Sequence, residues 1–161
     1  MIKKLLSFTL AALTAASVSS SLASFGTANV RSLLKEDSLV VYDEDLGYLK
    51  GIFPDTAVKA FKSNFTSGIT VKDASGNAAS DDAPVGTDFT VTADGAEFKT
   101  LVYGDVNRDG KVDTKDVIFM IRKSIGWDID ANMTAFDVNR DRTQNSKDII
   151  TVIRKLVGWN L

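Results

Sequence analysis

The sequence predicts two small units in tandem: an α+β module over residues 38–102, then an all-α unit over 103–161 made of two loop–helix repeats packed antiparallel. Three observations predict it. Asp105-Val106-Asn107-Arg108-Asp109-Gly110-Lys111-Val112-Asp113-Thr114-Lys115-Asp116 recurs as Asp137-Val138-Asn139-Arg140-Asp141-Arg142-Thr143-Gln144-Asn145-Ser146-Lys147-Asp148. Each copy runs into a similar apolar pattern of helical length. Ahead of the repeat, short β-type runs alternate with turn residues around one amphipathic stretch, Val58, Phe61 and Phe65 at i, i+3 and i+7.

Composition narrows the function classes. The chain has 161 residues and a formal net charge of −2, which makes nucleic acid and anionic membrane poor partners. Cysteine and histidine are both absent. Disulfides, thiolate metal sites and the commonest general base are therefore excluded.

From the N-terminus, Met1-Ile2-Lys3-Lys4 is a positive start and Leu5 to Val18 is apolar with small residues interspersed. This reads as an export signal over 1–23, cleaved after Ala23 or, as a second option, after Ala28. The apolar run falls short of the roughly 20 residues of a spanning helix, so no membrane contact is expected after cleavage. Residues 24–37 read as a mature N-terminal arm without strong pattern.

The module over 38–102 begins with Leu39 to Tyr42 as a strand, a turn at Asp43 to Gly47, and a second strand over Tyr48 to Ile52. Pro54-Asp55 introduces a helix over Thr56 to Phe65. Ile69 to Lys72 is a strand, and Asp88 to Thr92 and Phe98 to Tyr103 form a hairpin across Asp94-Gly95. Tyr48, Phe53, Phe61, Phe65, Phe89 and Phe98 are expected in its core, a carbohydrate-contacting platform being the lesser reading. Asp43, Glu44 and Asp45 cluster in one turn instead of facing each other across a cleft, so no catalysis is expected.

The repeat carries the chemistry. Oxygen side chains recur at positions 1, 3, 5, 9 and 12, the ligand spacing of a calcium loop. In the first loop the ligands are Asp105, Asn107, Asp109, Asp113 and Asp116, with the Lys111 carbonyl. In the second they are Asp137, Asn139, Asp141, Asn145 and Asp148, with the Thr143 carbonyl. Arg142 stands where the first loop has Gly110, and Asn145 replaces a carboxylate, so the second of the two Ca2+ sites is expected to be weaker. Val117, Ile118, Ile121 and Ile125 match Ile149, Ile150, Ile153 and Val157, and are expected to form the shared core of the two helices. Lys115, Phe119 and Arg122, and Lys147, Thr151 and Arg154, occupy the outer face, as a solvated surface or a partner surface. Trp127 and Trp159 are expected to pack, closing the unit against Tyr103.

These residues resemble the dockerin type I family, in which a calcium loop of the form Gly-Asp-Val-Asn-x-Asp-Gly-x-Val-x-x-x-Asp is duplicated in EF-hand-like fashion. Residues 104–116 fit throughout, and 136–148 lack two glycines. The resemblance covers about 103–161. It implies an all-α dockerin that docks, when calcium orders it, onto a cohesin module of a scaffoldin or cell-surface protein in a cellulosome-type, polysaccharide-degrading assembly. It also implies that Thr114, Lys115 and Arg122, and Ser146, Lys147 and Arg154, contact the cohesin, with two docking orientations plausible. A secreted non-catalytic protein is the expected whole. The alternative is an extracellular calcium-binding structural protein without a cohesin partner.

Overall fold

The computed structural model describes residues 27–159; the expected signal over 1–23, with its cleavage point at Ala23, lies outside them. The stretch read as an arm contains helix α1 (Thr27–Leu33), whose Val30 and Leu33 enter the core. Lys35 N donates to Asn64 O at 2.9 Å and Thr66 N to Leu33 O at 2.9 Å, which ties this segment to the end of the next helix. Sequence pattern alone missed it because a helix of two turns presents too few apolar positions to register a period.

Five strands follow: β1 (Val41–Asp43), β2 (Tyr48–Lys50), β3 (Thr70–Lys72), β4 (Thr90–Ala93) and β5 (Ala96–Thr100). They form one sheet in the order β1-β2-β5-β4-β3. The β2–β5 pair is parallel, with Tyr48 opposite Lys99, and the other pairs are antiparallel. The β4–β5 hairpin closes on Asp94 and Gly95, both at positive φ (48° and 77°), as a two-residue loop between twisted strands requires.

Helix α2 (Val58–Lys62) is shorter than the three turns expected. Asn64 ends it by turning its side-chain amide onto the carbonyls of Ala60 (3.2 Å) and Phe61 (3.0 Å). Val58, Phe61 and Phe65 are buried on one face as their spacing requires, packed with Leu49, Val85 and Val91. Phe89 and Phe98 join them, whereas Phe53, expected in the core, stands exposed.

Beyond the sheet lie α3 (Thr114–Ser124), α4 (Met133–Phe136) and α5 (Ser146–Leu156), with α3 packed on α5. The expected fold class, an α+β module followed by an all-α dockerin, is overturned here. The described residues carry a five-stranded mixed sheet with five short helices, and the sheet helps build the core of the C-terminal half. Successive side chains after β5 point to opposite sides: Leu101 is buried with Met120, Phe136 and Val152, and Val102 with the sheet cluster. Extended backbone alternates in this way whatever lies on either side. Tyr48 of β2 also packs against the C-terminal cluster, and Val112 touches both. Sequence reading separated the units because a loop motif starts where the last strand pattern ends.

Candidate functional site

The two loops repeat not only in sequence but in the main hydrogen bonds of their turns. In the first, the Asp105 carboxylate accepts from Asp109 N (3.0 Å) and Gly110 N (3.2 Å), Asn107 Oδ1 from Asp109 N (2.9 Å), and Asp109 Oδ1 from Lys111 N (3.0 Å). In the second, Asp137 accepts from Asp141 N (3.1 Å) and Arg142 N (2.9 Å), Asn139 Oδ1 from Asp141 N (2.8 Å), and Asp141 Oδ1 from Thr143 N (2.9 Å). The side-chain oxygens at positions 1, 3 and 5 thus curl over the turn they hold.

Each loop hands directly into a helix through a reciprocal cap. Asp113 accepts from Lys115 N at 2.6 Å while Asp116 accepts from Asp113 N at 2.9 Å. Asn145 accepts from Lys147 N at 2.8 Å while Asp148 accepts from Asn145 N at 3.0 Å. These are capping boxes, satisfying helix-end N–H groups with the side chains at positions 9 and 12. Asp116 also accepts from Val106 N (3.0 Å) and Asn107 N (3.3 Å), and Asp148 from Asn139 N (3.2 Å), closing each loop onto its beginning. Asn145 Nδ2 reaches the Thr143 carbonyl at 3.3 Å.

The backbone follows suit. Arg108 and Arg140 both adopt positive φ (68° and 62°), as do Gly110 and Arg142 (79° and 65°). Arg142 thus accepts the left-handed conformation glycine takes without strain in the first loop.

Asp105 and Asp116 are fully buried side by side. Burial pushes the Asp105 carboxyl up to about 6, the nearby Asp116 and Asp109 charges adding to it against the Thr87 and Gly110 N–H groups. Burial raises Asp116 too. Among the described residues no cationic side chain pairs with either. With Lys115 Nζ at 3.6 Å from Asp109 and none on Asp105 or Asp116, these concentrated oxygen donors suit a hard divalent cation, which would offset that burial cost. Among the described residues no three His, Cys, Asp or Glu side chains form a metal cluster by themselves. The donor set would have to draw on Asn107, Asn139, Asn145 and the carbonyls of Lys111 and Thr143 as well.

The environments of the loops differ. Asp105 Oδ2 accepts a further bond from Thr87 N at 2.7 Å, and Arg108 Nε meets Asp88 Oδ2 at 2.6 Å. Asp88 also accepts from Tyr48 Oη (2.9 Å) and Asn132 Nδ2 (2.8 Å). Burial pushes the Asp88 carboxyl up, but the bonds from Arg108, Asn132 and Tyr48 outweigh it and hold it below its usual value. The side-chain hydrogen bonds of Asp137, Asn139, Asp141 and Asn145 run within residues 137–148, while Arg140 stacks over Tyr103 at 4.6 Å. Thr87, Asp88, Tyr48 and Asn132 gave no sequence signal, because nothing in their local pattern announces a partner so far along the chain.

The expected shared core of the two helices requires a correction. Ile118, Ile121, Ile125, Ile150, Ile153 and Val157, expected as shared core, are exposed. Of the expected set, Ile149 is buried and Val117 partly buried, and the helices meet through them together with Met120 and Val152. The loop fixes this phase. Asp116 must point inward to close its loop, one turn later that face carries Met120, and Ile118 lies about 200° around from Asp116. The same holds for Asp148, Val152 and Ile150.

Trp127 and Trp159 are also exposed, at 53% and 64%, and do not close the unit. Each follows a positive-φ glycine (Gly126 at 87°, Gly158 at 77°). Arg122 lies over Trp127 at 5.2 Å and Arg154 over Trp159 at 5.9 Å, two matching cation–π pairs. Thr114, Lys115, Arg122, Ser146, Lys147 and Arg154 are exposed. Phe119 is half-buried against the core, and Thr151 is half-buried with its hydroxyl on Lys147 O at 2.9 Å.

Residues 103–157 match the family model of the dockerin type I domain. No curated protein and no solved structure matches the chain.

Proposed function

We propose, with residues 103–157 a dockerin type I domain as the premise, that this is a secreted, non-catalytic protein that plugs into a cohesin module. Domains of this family dock onto cohesins in a calcium-dependent manner, in cellulosome-like assemblies. In this chain both loops bind calcium, the first through Asp105, Asn107, Asp109, Lys111, Asp113 and Asp116, the second through Asp137, Asn139, Asp141, Thr143, Asn145 and Asp148. The cohesin belongs to a scaffoldin or cell-surface anchor of a polysaccharide-degrading assembly.

One observation carries the reading: two loops with one hydrogen-bonding plan feed two helices that expose the same apolar positions, each ending in an Arg–Trp pair. An apolar surface with polar Thr114, Lys115, Ser146 and Lys147 beside it has the anatomy of a docking site. Calcium acts by holding position 12 inward, which turns the isoleucines outward. Export is supported by the positive and apolar pattern of residues 1–23. The absence of catalysis is supported by Asp43, paired with Lys50 and not with a second carboxylate across a cleft.

Calorimetry of the mature chain against a panel of cohesins, with calcium and with chelator, tests this. Calcium-dependent binding to at least one cohesin is expected. Calcium binding with no cohesin retained would favour the extracellular structural alternative.

A further inference from the structure

The first loop is held from outside at four separate points, three from the sheet unit and one from the segment between the repeats. Thr87 N fixes one oxygen of Asp105 at 2.7 Å. Asp55 N donates to Gly110 O at 2.9 Å. Arg108 is gripped by Asp88 (2.6 Å) and by Asp130 (2.8 Å). Gly86 and Gly110 permit the contact: a Cβ on Gly86 would fall 2.5 Å from Arg108 O, and one on Gly110 2.8 Å from Pro84 Cβ.

Thr87 is itself locked, its hydroxyl donating to Val102 O at 3.1 Å and accepting from Val102 N at 3.2 Å. Asp88 is held by Tyr48 of the sheet and by Asn132 of the segment between the repeats. Among the described residues the second loop is held less: Asp137 accepts from Asp141 N and Arg142 N of its own turn, Asp141 and Arg142 are exposed, and the contact from outside is Arg140 over Tyr103 at 4.6 Å.

We propose that residues 84–88, with Asp55, form a built-in positioning clamp that holds the first calcium loop in its binding shape before the cation arrives. This rests on the reading of the loops as calcium sites. The clamp makes the sites inequivalent for a reason additional to their ligands. A loop already ordered loses little conformational freedom when it binds, whereas the second must be ordered at the moment of binding. Asp88 and Thr87 are positioning residues, fixing Arg108 and the Asp105 carboxylate much as outer hydrogen bonds orient metal ligands elsewhere. The module has then a definite task, to let the first half of the repeat fold ahead of calcium.

Amide hydrogen exchange of the full chain in chelator tests this directly. The amides of Asp109 and Gly110 are expected to exchange at least tenfold more slowly than those of Asp141 and Arg142. Asp88→Ala and Asp88→Asn should abolish that difference while amides in β4 and β5 stay protected. In calcium titrations of the same variants, the first binding step should weaken about tenfold, or 1.4 kcal/mol, and the second should change less than twofold. Equal exchange in the two wild-type loops would overturn the clamp, as would equal weakening of both steps. A wild-type chain that binds no calcium would overturn the reading of the loops, and the exchange comparison in chelator would still decide the clamp.

Discussion

Position 6 of the two loops offers a paired perturbation whose members should act with opposite sign. Gly110 and Arg142 share the left-handed conformation, at φ 79° and 65°. For Gly110→Ala the new Cβ is strained by that conformation, at about 1–2 kcal/mol. It also meets Pro84 at 2.8 Å from Cβ and 2.9 Å from the backbone carbonyl. The carbonyl belongs to backbone and cannot swing aside, so overpacking adds about 1–3 kcal/mol. A loss of about 3 kcal/mol follows, or roughly 10 °C in Tm for a chain of this size. Arg142→Gly relieves about 1 kcal/mol of strain, while greater freedom of the unfolded chain returns about 0.4–1 kcal/mol. The bond from residue 142 N to Asp137 survives, so the net change is a gain within about 0.5 kcal/mol. Thermal unfolding followed by circular dichroism in saturating calcium measures both. Near-equal stabilities of the two variants would refute the reasoning, because one change adds left-handed strain and a clash with Pro84 while the other removes such strain.

The remaining predictions concern the closing carboxylates, the exposed face and acid pH. Asp116→Ala should cost about 3 kcal/mol, because the N–H groups of Val106, Asn107 and Asp113 each lose an acceptor at about 1 kcal/mol; urea unfolding of this variant against Asp148→Ala should show the larger loss at 116. Trp127→Ala and Trp159→Ala should shift the unfolding midpoint little, since both rings are exposed, yet the double variant should weaken cohesin binding by tenfold or more by calorimetry. Burial pushes the Asp88 carboxyl up, but Arg108, Asn132 and Tyr48 hold its folded pKa below the usual aspartate value. Its contribution to stability is therefore present above that value and lost as pH falls through the lower folded pKa. Asp88→Asn should flatten the acid limb of a stability–pH profile below about pH 4.

The strands and turns of residues 38–102 could be read because they rest on local chemistry: alternation, Asp94-Gly95, and Val58, Phe61 and Phe65 at helical spacing. Helix α1 could not, since Val30 and Leu33 acquire meaning only against Phe65 and its neighbours. The isoleucine face was misassigned because apolar residues at matching positions look like core until something sets the rotation of the helix. Asp116 and Asp148 set it, and their spacing to Met120 and Val152 was present in the chain for a reader who fixed the loop first.

Composition and the duplicated oxygen pattern by themselves determined that oxygen donors recur in calcium-loop order at two places, because that order is local to a short stretch of chain. What lies inside and outside the helix pair was decided by loop closure, which turns two carboxylates inward and leaves the isoleucines and tryptophans in water. That the two loops are unequal in their surroundings was decided by tertiary structure alone. Thr87 and Asp88 reach Asp105 and Arg108 only once residues 100–102 have folded back beside them, and no local spacing encodes such a contact.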